Sequence, residues 1–276
     1  MFRVKKALNH NTLIAIGMDD NQEYLLIGKG IGFGRKVSER IEAPDGCAVY
    51  SLHEYTERGA ASELIKSIDP VFLEITEQVL KEAEKIFGRI DWSILFPMAD
   101  HIAFAVKRIQ NQEQISNPLT SDIRALFHME YKTAEYIRPI LKERLQVEID
   151  EHEIGYIALH IHSAIEDENV ALSMQIARTV RECIQLVEEQ TGESIDVMSL
   201  SYNRLMNHVR YMAARAVRGE KLKLDMNDYM SAKFPDSFRM ASIVCDHLEH
   251  YLKKPLDEVE IGYLAMHIQR VSAEKD

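Results

Sequence analysis

A gapless internal repeat is the feature that most constrains how this 276-residue chain can fold. When the sequence is aligned with itself at an offset of 107, residues 153–161 (EIGYIALHI) coincide with residues 260–268 (EIGYLAMHI), and seven of the nine positions are identical. The same offset places His101 on His208 and Arg108 on Arg215. One shift that aligns two separated motifs indicates a duplicated unit. We therefore predict two copies of one domain, each of about 107 residues.

The duplicated part of the chain has the apolar spacing of amphipathic helices. Apolar residues recur at intervals of three and four in segments 75–87, 94–109, 129–145 and 153–165, and again in 172–187. This pattern predicts two repeated all-α helical-bundle domains, at residues 62–168 and 169–276.

The first 56 residues differ from the rest, because six of the twelve glycines lie within the first 46 positions. Apolar clusters at 12–16 and 24–27, separated by turn residues, predict a β-hairpin. Strands at 30–33 and 48–52 would complete the sheet. The predicted fold is therefore multidomain: a small antiparallel β-sheet domain at residues 1–56, followed by the two helical domains. A unit of roughly 55 residues buries little apolar surface, so we expect it to dimerise.

The charge of the chain is unevenly distributed. The net charge is −11, yet residues 1–55 contain seven Lys/Arg and seven Asp/Glu, so the whole excess of negative charge lies in the other 221 residues. A surface that binds a polyanion is therefore expected only in the N-terminal domain.

The glycine-rich stretch of that domain has the composition of a nucleic-acid surface. Glycines let the backbone approach a phosphodiester, cations attract it, an aromatic ring stacks on a base, and asparagines bind base edges. The candidate RNA-binding residues of these kinds are Asn9, Asn11, Gly28, Lys29, Gly30, Phe33 and Arg35. An equally good interpretation is a tight turn with a buried Phe33.

Each copy of the repeat contains two histidines that coincide under the shift, namely His101 and His160, then His208 and His267. A single histidine on an apolar helix face is usually a core residue, but pairs that register in both copies favour a chemical role. Arg108 and Arg215 each follow a histidine by seven residues, which returns to nearly the same helix face. A guanidinium there suits a phosphorylated imidazole, and the alternative is a solvated arginine.

Other chemistries have weaker support. Three widely separated cysteines indicate reduced thiols, and no phosphate-binding loop, nucleophile elbow or metal-ligand pair is evident. No enzymatic activity, cofactor or metal is expected. The absence of a signal peptide and of a long apolar run predicts a cytoplasmic protein without a membrane span.

Two motifs near the N-terminus, residues 5–11 (KKALNHN) and 26–36 (LIGKGIGFGRK), resemble the co-antiterminator (CAT) RNA-binding domain of BglG/LicT-type transcriptional antiterminators. Residues 100–108 and 155–161 resemble the two histidine motifs of a PTS regulation domain (PRD), and the second copy repeats them. The resemblance covers essentially the whole chain in the order CAT–PRD–PRD. The glycine-rich run is most similar to the glucose-type, GlcT-like branch.

This resemblance implies an RNA-binding antiterminator. A CAT dimer would bind a hairpin in a nascent leader mRNA and prevent termination upstream of sugar-transport genes. The PRDs would receive phosphate from the EIIB part of a sugar permease and from HPr. The family's RNA contacts correspond to Lys6, Asn11, Gly28, Lys29 and Phe33, and its phosphoacceptors to His101, His160, His208 and His267.

Two positions depart from the family pattern. His10 stands where the family often has asparagine, and Asn207 replaces the aspartate that precedes the first phosphoacceptor as Asp100. Asp100 is expected to support the phosphorylated ring, so the two PRDs are expected to respond to different donors.

Two other classes of protein remain as alternatives. A PRD-containing DNA-binding transcriptional activator would need a helix-turn-helix in the first 55 residues. An all-helical hydrolase would contain a bound metal.

Overall fold

The computed structural model describes residues 1–53, 55–56, 59–113, 115–166, 169–192, 195 and 199–273. The chain divides into two compact units. One comprises Met1–Asn117 and Phe127–Val170, and the other comprises Pro118–Leu126 and Ala171–Asp276. None of the described helices is long and apolar enough to cross a membrane.

The first unit begins with a five-stranded antiparallel sheet. Its strands are β1 (Phe2–Ala7), β2 (Thr12–Gly17), β3 (Glu23–Ile27), β4 (Arg40–Ile41) and β5 (Ala48–Ser51), in the order β4-β1-β2-β3-β5. One face packs its apolar side chains together, with Val4, Leu13, Ala15, Leu26 and Ile31 buried at the centre. A two-stranded sheet of β6 (Tyr55–Thr56) and β7 (Gly59–Ala60) follows.

The sheet confirms the predicted strands at β2, β3 and β5, but the strand predicted at residues 30–33 is wrong. That segment forms consecutive turns, in which Ile31 N donates to the Gly28 carbonyl and Phe33 N to the Gly30 carbonyl. Gly30 and Gly34 have φ angles of +72° and +69°, which extended chain does not permit. Strands β1 and β4 complete the ladder instead, and neither was predicted from the sequence.

The sheet also argues against one alternative function, that of a DNA-binding activator. All of residues 1–53 are described, and they form strands and turns without a helix. The helix-turn-helix that a DNA-binding activator needs is therefore missing from this segment.

The helices of the first unit confirm the predicted all-α character of the region after the sheet. They are α1 (Ala61–Ser67), α2 (Pro70–Phe87), α3 (Leu95–Gln110), α5 (His128–Ala134), α6 (Ile137–Leu145) and α7 (Glu151–Ile165), with a 3₁₀ turn at Trp92–Ile94. Helix α2 begins at Pro70 because the Asp69 side chain accepts a hydrogen bond from Val71 N. Asp150 caps α7 in the same way through Glu153 N.

The second unit contains α4 (Thr120–Leu126), most of α8 (Val170–Thr191), α9 (Leu200–Arg218), α10 (Asn227–Lys233), α11 (Pro235–Leu252) and α12 (Glu260–Ala273). The offset of 107 places α3 on α9 and α7 on α12, so the repeat in the sequence is a repeat of helices. The domain boundaries at 56, 62, 168 and 169 remain a prediction.

Candidate RNA-binding face and histidine pairs

The turn between β1 and β2 packs against the loop after β3, and together they form one surface, the loop face (residues 8–12 and 28–35). Gly32 N donates to the His10 carbonyl at 2.9 Å, and Gly30 N donates to Asn11 Oδ1 at 2.9 Å. A Cβ atom on Gly32 would lie 2.1 Å from the Asn9 carbonyl oxygen. Only glycine permits this close approach, so the glycines position the loop.

The loop face presents cations and an aromatic ring to solvent. Phe33 is 69% exposed, so the alternative of a buried Phe33 is wrong. The His10 ring packs edge-on against Phe33, with ring centroids 5.2 Å apart. Lys29 and Arg35 are also exposed on this face. Lys6 lies outside the loop face, exposed in β1 and opposite Ile14 in β2.

The two asparagines of the loop face contact a carboxylate of the helical region. Glu74 of α2 is 6% exposed. Its Oε1 accepts a hydrogen bond from Asn9 Nδ2 at 2.6 Å, and its Oε2 accepts one from Asn11 Nδ2 at 3.3 Å. Thr12 Oγ1 lies 3.4 Å from Oε1, and Arg144 Nη2 lies 2.8 Å from Oε2. The charge of this buried carboxylate is thus compensated by four donors.

Asn9 and Asn11 were predicted to face RNA, and Glu74 was not among the predicted site residues. A usable signal was present, because Glu74 falls between the buried residues Leu73 and Ile75 on the inner side of α2. A charged residue at such a position requires partners. The sequence nevertheless could not indicate that these partners lie more than 60 residues earlier in the chain.

The first predicted histidine pair is brought together by α3 and α7. The rings of His101 and His160 have centroids 5.3 Å apart. His101 Nε2 lies 3.1 Å from Glu153 Oε2, and the two side chains are 11% and 2% exposed. Arg108 donates to the other oxygen, Oε1, from Nε at 3.1 Å and from Nη2 at 2.6 Å. A carboxylate therefore lies between the histidine and the arginine.

The charge of Glu153 is stabilised in place. Burial alone would raise the Glu153 pKa, but hydrogen bonds and positive charge from His101 and Arg108 outweigh burial and lower the pKa below its ordinary value. The carboxylate is accordingly ionised at neutral pH.

The second histidine pair has the same arrangement on α9 and α12. The rings of His208 and His267 stack with centroids 4.6 Å apart. Arg215 contacts both oxygens of Glu260, from Nε to Oε1 at 2.7 Å and from Nη2 to Oε2 at 2.8 Å. His208 Nε2 lies 3.9 Å from Glu260 Oε2, beyond hydrogen-bonding distance.

Both rings of the second pair are held neutral at physiological pH. Burial, together with the positive charges of the neighbouring His267 and Arg215, lowers the pKa of His208 to about 3. Burial, Arg270 and Arg204 lower the pKa of His267 to about 4.

The structure thus brings the registered histidines together in both copies, but it gives the arginines a partner that was not predicted. Arg108 and Arg215 each bind a glutamate, and each is partly buried rather than solvated. Glu153 and Glu260 themselves coincide under the offset of 107, which is the signal that could have identified them. Asp100 precedes His101 in α3 and is half-buried. At the matching position, Asn207 Nδ2 donates to the Asn203 carbonyl at 2.8 Å.

Family models match most of the chain. The CAT RNA binding domain model matches residues 2–58, and the PRD domain model matches residues 62–164 and 181–271.

Individual relatives match over nearly their whole length. Protein GlcT of Staphylococcus haemolyticus is 30% identical over 271 residues, covering 97% of this chain and 95% of the relative. The PtsGHI operon antiterminator of Bacillus subtilis is 30% identical over 274 residues, covering 98% and 97%. A crystal structure of GlcT CAT-PRDI is similar with a TM-score of 0.51 and 34% identity, and it covers 59% of this chain and 98% of that chain.

Proposed function

The chain belongs to the CAT–PRD family of transcriptional antiterminators, as its motifs predicted, and from that membership we propose that it binds a hairpin in a nascent leader mRNA and prevents termination upstream of sugar-transport genes. Its relatives include GlcT and an antiterminator named for the ptsGHI operon. The protein is accordingly a regulator rather than an enzyme. It needs no cofactor, and it acts in the cytoplasm, where the transcript is made.

The observation that best supports RNA binding is the exposed Phe33 on the loop face. A large aromatic ring that is 69% exposed costs free energy in water, and it gains free energy when it stacks on an unpaired base. Lys29 and Arg35 beside it supply the positive charge that a phosphodiester needs. The His10 ring packs edge-on against the Phe33 ring.

The RNA-binding unit acts as a homodimer in this proposal. The sheet is small and its core contains few large side chains. A domain of this size buries too little apolar surface to be stable alone, and a second copy supplies more. An RNA hairpin then contacts both loop faces, which doubles the number of phosphates neutralised.

Control of antitermination depends on the histidine pairs in this proposal. We expect phosphate from EIIB of a sugar permease and from HPr on some of His101, His160, His208 and His267, and not on the other seven histidines. A phosphate adds about −1.5 to −2 charges. Beside the buried Glu153 or Glu260 that charge is repelled, and only a move of the neighbouring arginine relieves the repulsion. Phosphorylation therefore repacks the helices that contain the pair.

Substitution of Phe33 and Lys29 tests the RNA-binding proposal on the intact chain. We expect Phe33→Ala to weaken binding to the operon's own leader hairpin by ~1–3 kcal/mol through lost stacking. Lys29→Ala should lower the slope of log affinity against log salt by about one unit. Fluorescence anisotropy with the hairpin and a scrambled RNA measures both effects.

Met18→Ala is the matched control, because Met18 is 43% exposed at the end of β2 remote from the loop face. Its affinity should equal that of the unaltered protein. If Phe33→Ala and Lys29→Ala both bind as the control does, with the sheet intact by NMR, the loop face is not the RNA-binding surface.

A further inference from the structure

Two buried polar atoms face each other at the first histidine pair. His101 Nε2 and Glu153 Oε2 are both inaccessible to solvent and lie 3.1 Å apart. Neither atom makes a hydrogen bond of normal geometry with any of the described residues. Buried polar groups are almost always satisfied, and an ionised carboxylate can only accept. Both atoms are satisfied when Nε2 of His101 carries a proton that it directs at Oε2.

The arginine leaves this oxygen available to the histidine. Both hydrogen bonds of Arg108 go to Oε1, so Oε2 faces His101. A proton on Nε2 leaves the lone pair of the ring on Nδ1. The His101 side chain is 11% exposed while its Nε2 is buried, so the exposed part lies on other atoms of the side chain.

We propose that Glu153 is a positioning residue that fixes the Nε2–H tautomer of His101 and directs the phosphoryl group to Nδ1. The inference rests on the proposed phosphorylation of His101 and specifies the atom. Nε2 is closed to a donor on two counts, because it is buried and because it faces a carboxylate that repels an incoming phosphoryl group.

The transfer balances without any further reactant. The Nδ1 lone pair of His101 attacks the phosphorus of the donor's phosphorylated imidazole, and the donor's N–P bond breaks as the new N–P bond forms. The donor ring leaves as a neutral imidazole. The ring of His101 retains its Nε2 proton and becomes positively charged, and Glu153 stabilises that charge, as a buried carboxylate does for the imidazolium of a catalytic triad.

The second copy supplies an internal comparison. Arg215 contacts both oxygens of Glu260, and His208 Nε2 is 3.9 Å from the nearer one. At that distance the carboxylate does not fix the tautomer of His208 by a hydrogen bond. Glu260 therefore directs phosphate at His208 less strongly than Glu153 does at His101.

Nitrogen-15 NMR of the intact chain with labelled histidine tests the proposal. Long-range ¹H–¹⁵N spectra report which ring nitrogen of His101 bears the proton before any phosphate is added. The protein is then phosphorylated with potassium phosphoramidate and, separately, with phosphorylated HPr. Mass spectrometry under conditions that preserve phosphohistidine identifies the residue, and ³¹P–¹⁵N coupling identifies the nitrogen. We expect an Nε2–H ring before reaction and phosphate on Nδ1 afterwards.

Substitutions separate positioning from simple packing. Glu153→Gln retains an acceptor oxygen for His101 but removes the charge, so phosphorylation should slow by roughly tenfold with Nδ1 still modified. Glu153→Ala should lose the tautomer preference and yield phosphate on Nε2 as well. Glu260→Gln and Glu260→Ala are the matched controls and should alter the spectrum of His208 less than their counterparts alter that of His101.

Different results would overturn the role of Glu153 and the proposed control by histidine phosphorylation. An Nδ1–H ring in the unaltered protein, or phosphate found mainly on Nε2 of His101, overturns the role of Glu153. Phosphate only on His10, His128, His152 or His247 overturns the proposed histidine control, while the tautomer spectrum still tests Glu153. If Glu153→Ala fails to fold because Arg108 loses its partner, the unaltered protein and Glu153→Gln still give the answer.

Discussion

The two histidine pairs share a geometry but differ at the level of single residues. In the first pair, His101 lies within hydrogen-bonding distance of Glu153. In the second pair, the rings of His208 and His267 stack on each other, and both are neutral because burial lowers their pKa values. The difference follows from how many carboxylate oxygens the arginine contacts, one at Arg108 and two at Arg215.

The lowered pKa values of the second pair predict a loss of stability in mild acid. Each ring in the unfolded chain takes up a proton below about pH 6.5, whereas the folded His208 and His267 stay neutral down to about pH 3 and 4. The unfolded state binds more protons in this window, so the free energy of unfolding falls as pH decreases from 7 towards 4. His208 alone should contribute about 2 kcal/mol between pH 7 and pH 5, and the half-buried His267 adds less because solvent screens it.

Urea unfolding, followed by hydrogen exchange of amides in α9 and α12, measures this dependence. The double variant His208→Gln/His267→Gln should have a visibly flatter pH profile than the unaltered protein. Equal slopes in the two proteins would show that the second pair does not titrate on unfolding.

At the scale of whole elements, one difference between the two copies of the repeat lies at α5 and α6. The first copy has α5 and α6 with a break at residues 135–136, whereas the second has the continuous helix α11 at the matching positions. Pro139 explains the break, because its ring clashes with the carbonyl of residue 135 and it donates no hydrogen bond. The matching residue in α11 is Asp246, which has neither effect. The helical spacing at 129–145 is thus realised as two helices rather than one.

A polar contact between two helices of each copy also differs between the copies. In the first copy His162 Nδ1 lies 2.9 Å from Glu130 Oε1 between α7 and α5. The offset of 107 places this pair on Gln269 and Ser237, where Ser237 Oγ donates to Gln269 Oε1 at 2.8 Å. One contact position therefore has an ionisable pair in one domain and a neutral pair in the other.

Exchange of this pair tests whether the matching contacts of the two domains are interchangeable. His162→Gln alone should destabilise the first unit by ~1–3 kcal/mol, because the half-buried Glu130 loses this partner. Adding Glu130→Ser recreates the pair of the second domain and should recover most of that loss. Thermal unfolding of the unaltered protein and of the single and double variants gives the coupling energy between the two positions. Additive losses of stability would show that the two contacts are not interchangeable.

Particular residues explain how much of the fold and site followed from the sequence. Strands β2 and β3 were predictable because turn residues separate two apolar clusters. Strand β1 was not, because Arg3, Lys5 and Lys6 are exposed and only Val4 is fully buried. The four candidate histidines were identifiable from their register in the repeat, but the register did not indicate that the two rings within each copy lie against each other. Glu153 was not predicted, because helical spacing relates residues within one helix and does not indicate which side chain of a second helix lies between them.

At the scale of the whole molecule, Glu74 links the predicted RNA surface to a helix outside the sheet. Asn9 and Asn11 donate to this carboxylate with the same amide groups that would bind RNA. RNA that takes these hydrogen bonds has to remove Glu74, and the removal costs free energy. If Asn9 and Asn11 bind RNA as predicted, this contact opposes RNA binding.

Glu74→Gln tests this competition. Loss of the charge weakens the carboxylate's hold on both amides, so affinity for the leader hairpin should rise by roughly 3- to 10-fold, the scale of one hydrogen bond. Glu77→Gln is the matched control, because Glu77 is equally buried in α2 but contacts Tyr50 and Lys81 instead. Unchanged or lower affinity in Glu74→Gln, with the control unaltered, would mean that Glu74 organises the RNA surface rather than competing with RNA.

If RNA displaces Glu74 in this way, the transcript is also expected to act on the helices. Thermodynamic linkage is reciprocal, so a contact that lowers RNA affinity by some factor is itself weakened by bound RNA by the same factor. Helix α2 packs against α3, which contains His101. A leader RNA emerging from the polymerase would thus weaken the contact of Glu74 in α2 with the two asparagines. It would also change how readily a phosphate donor reaches His101. The leader RNA would then affect the phosphorylation of the protein that binds it, and the phosphorylation state would depend on how much of the target RNA is being transcribed.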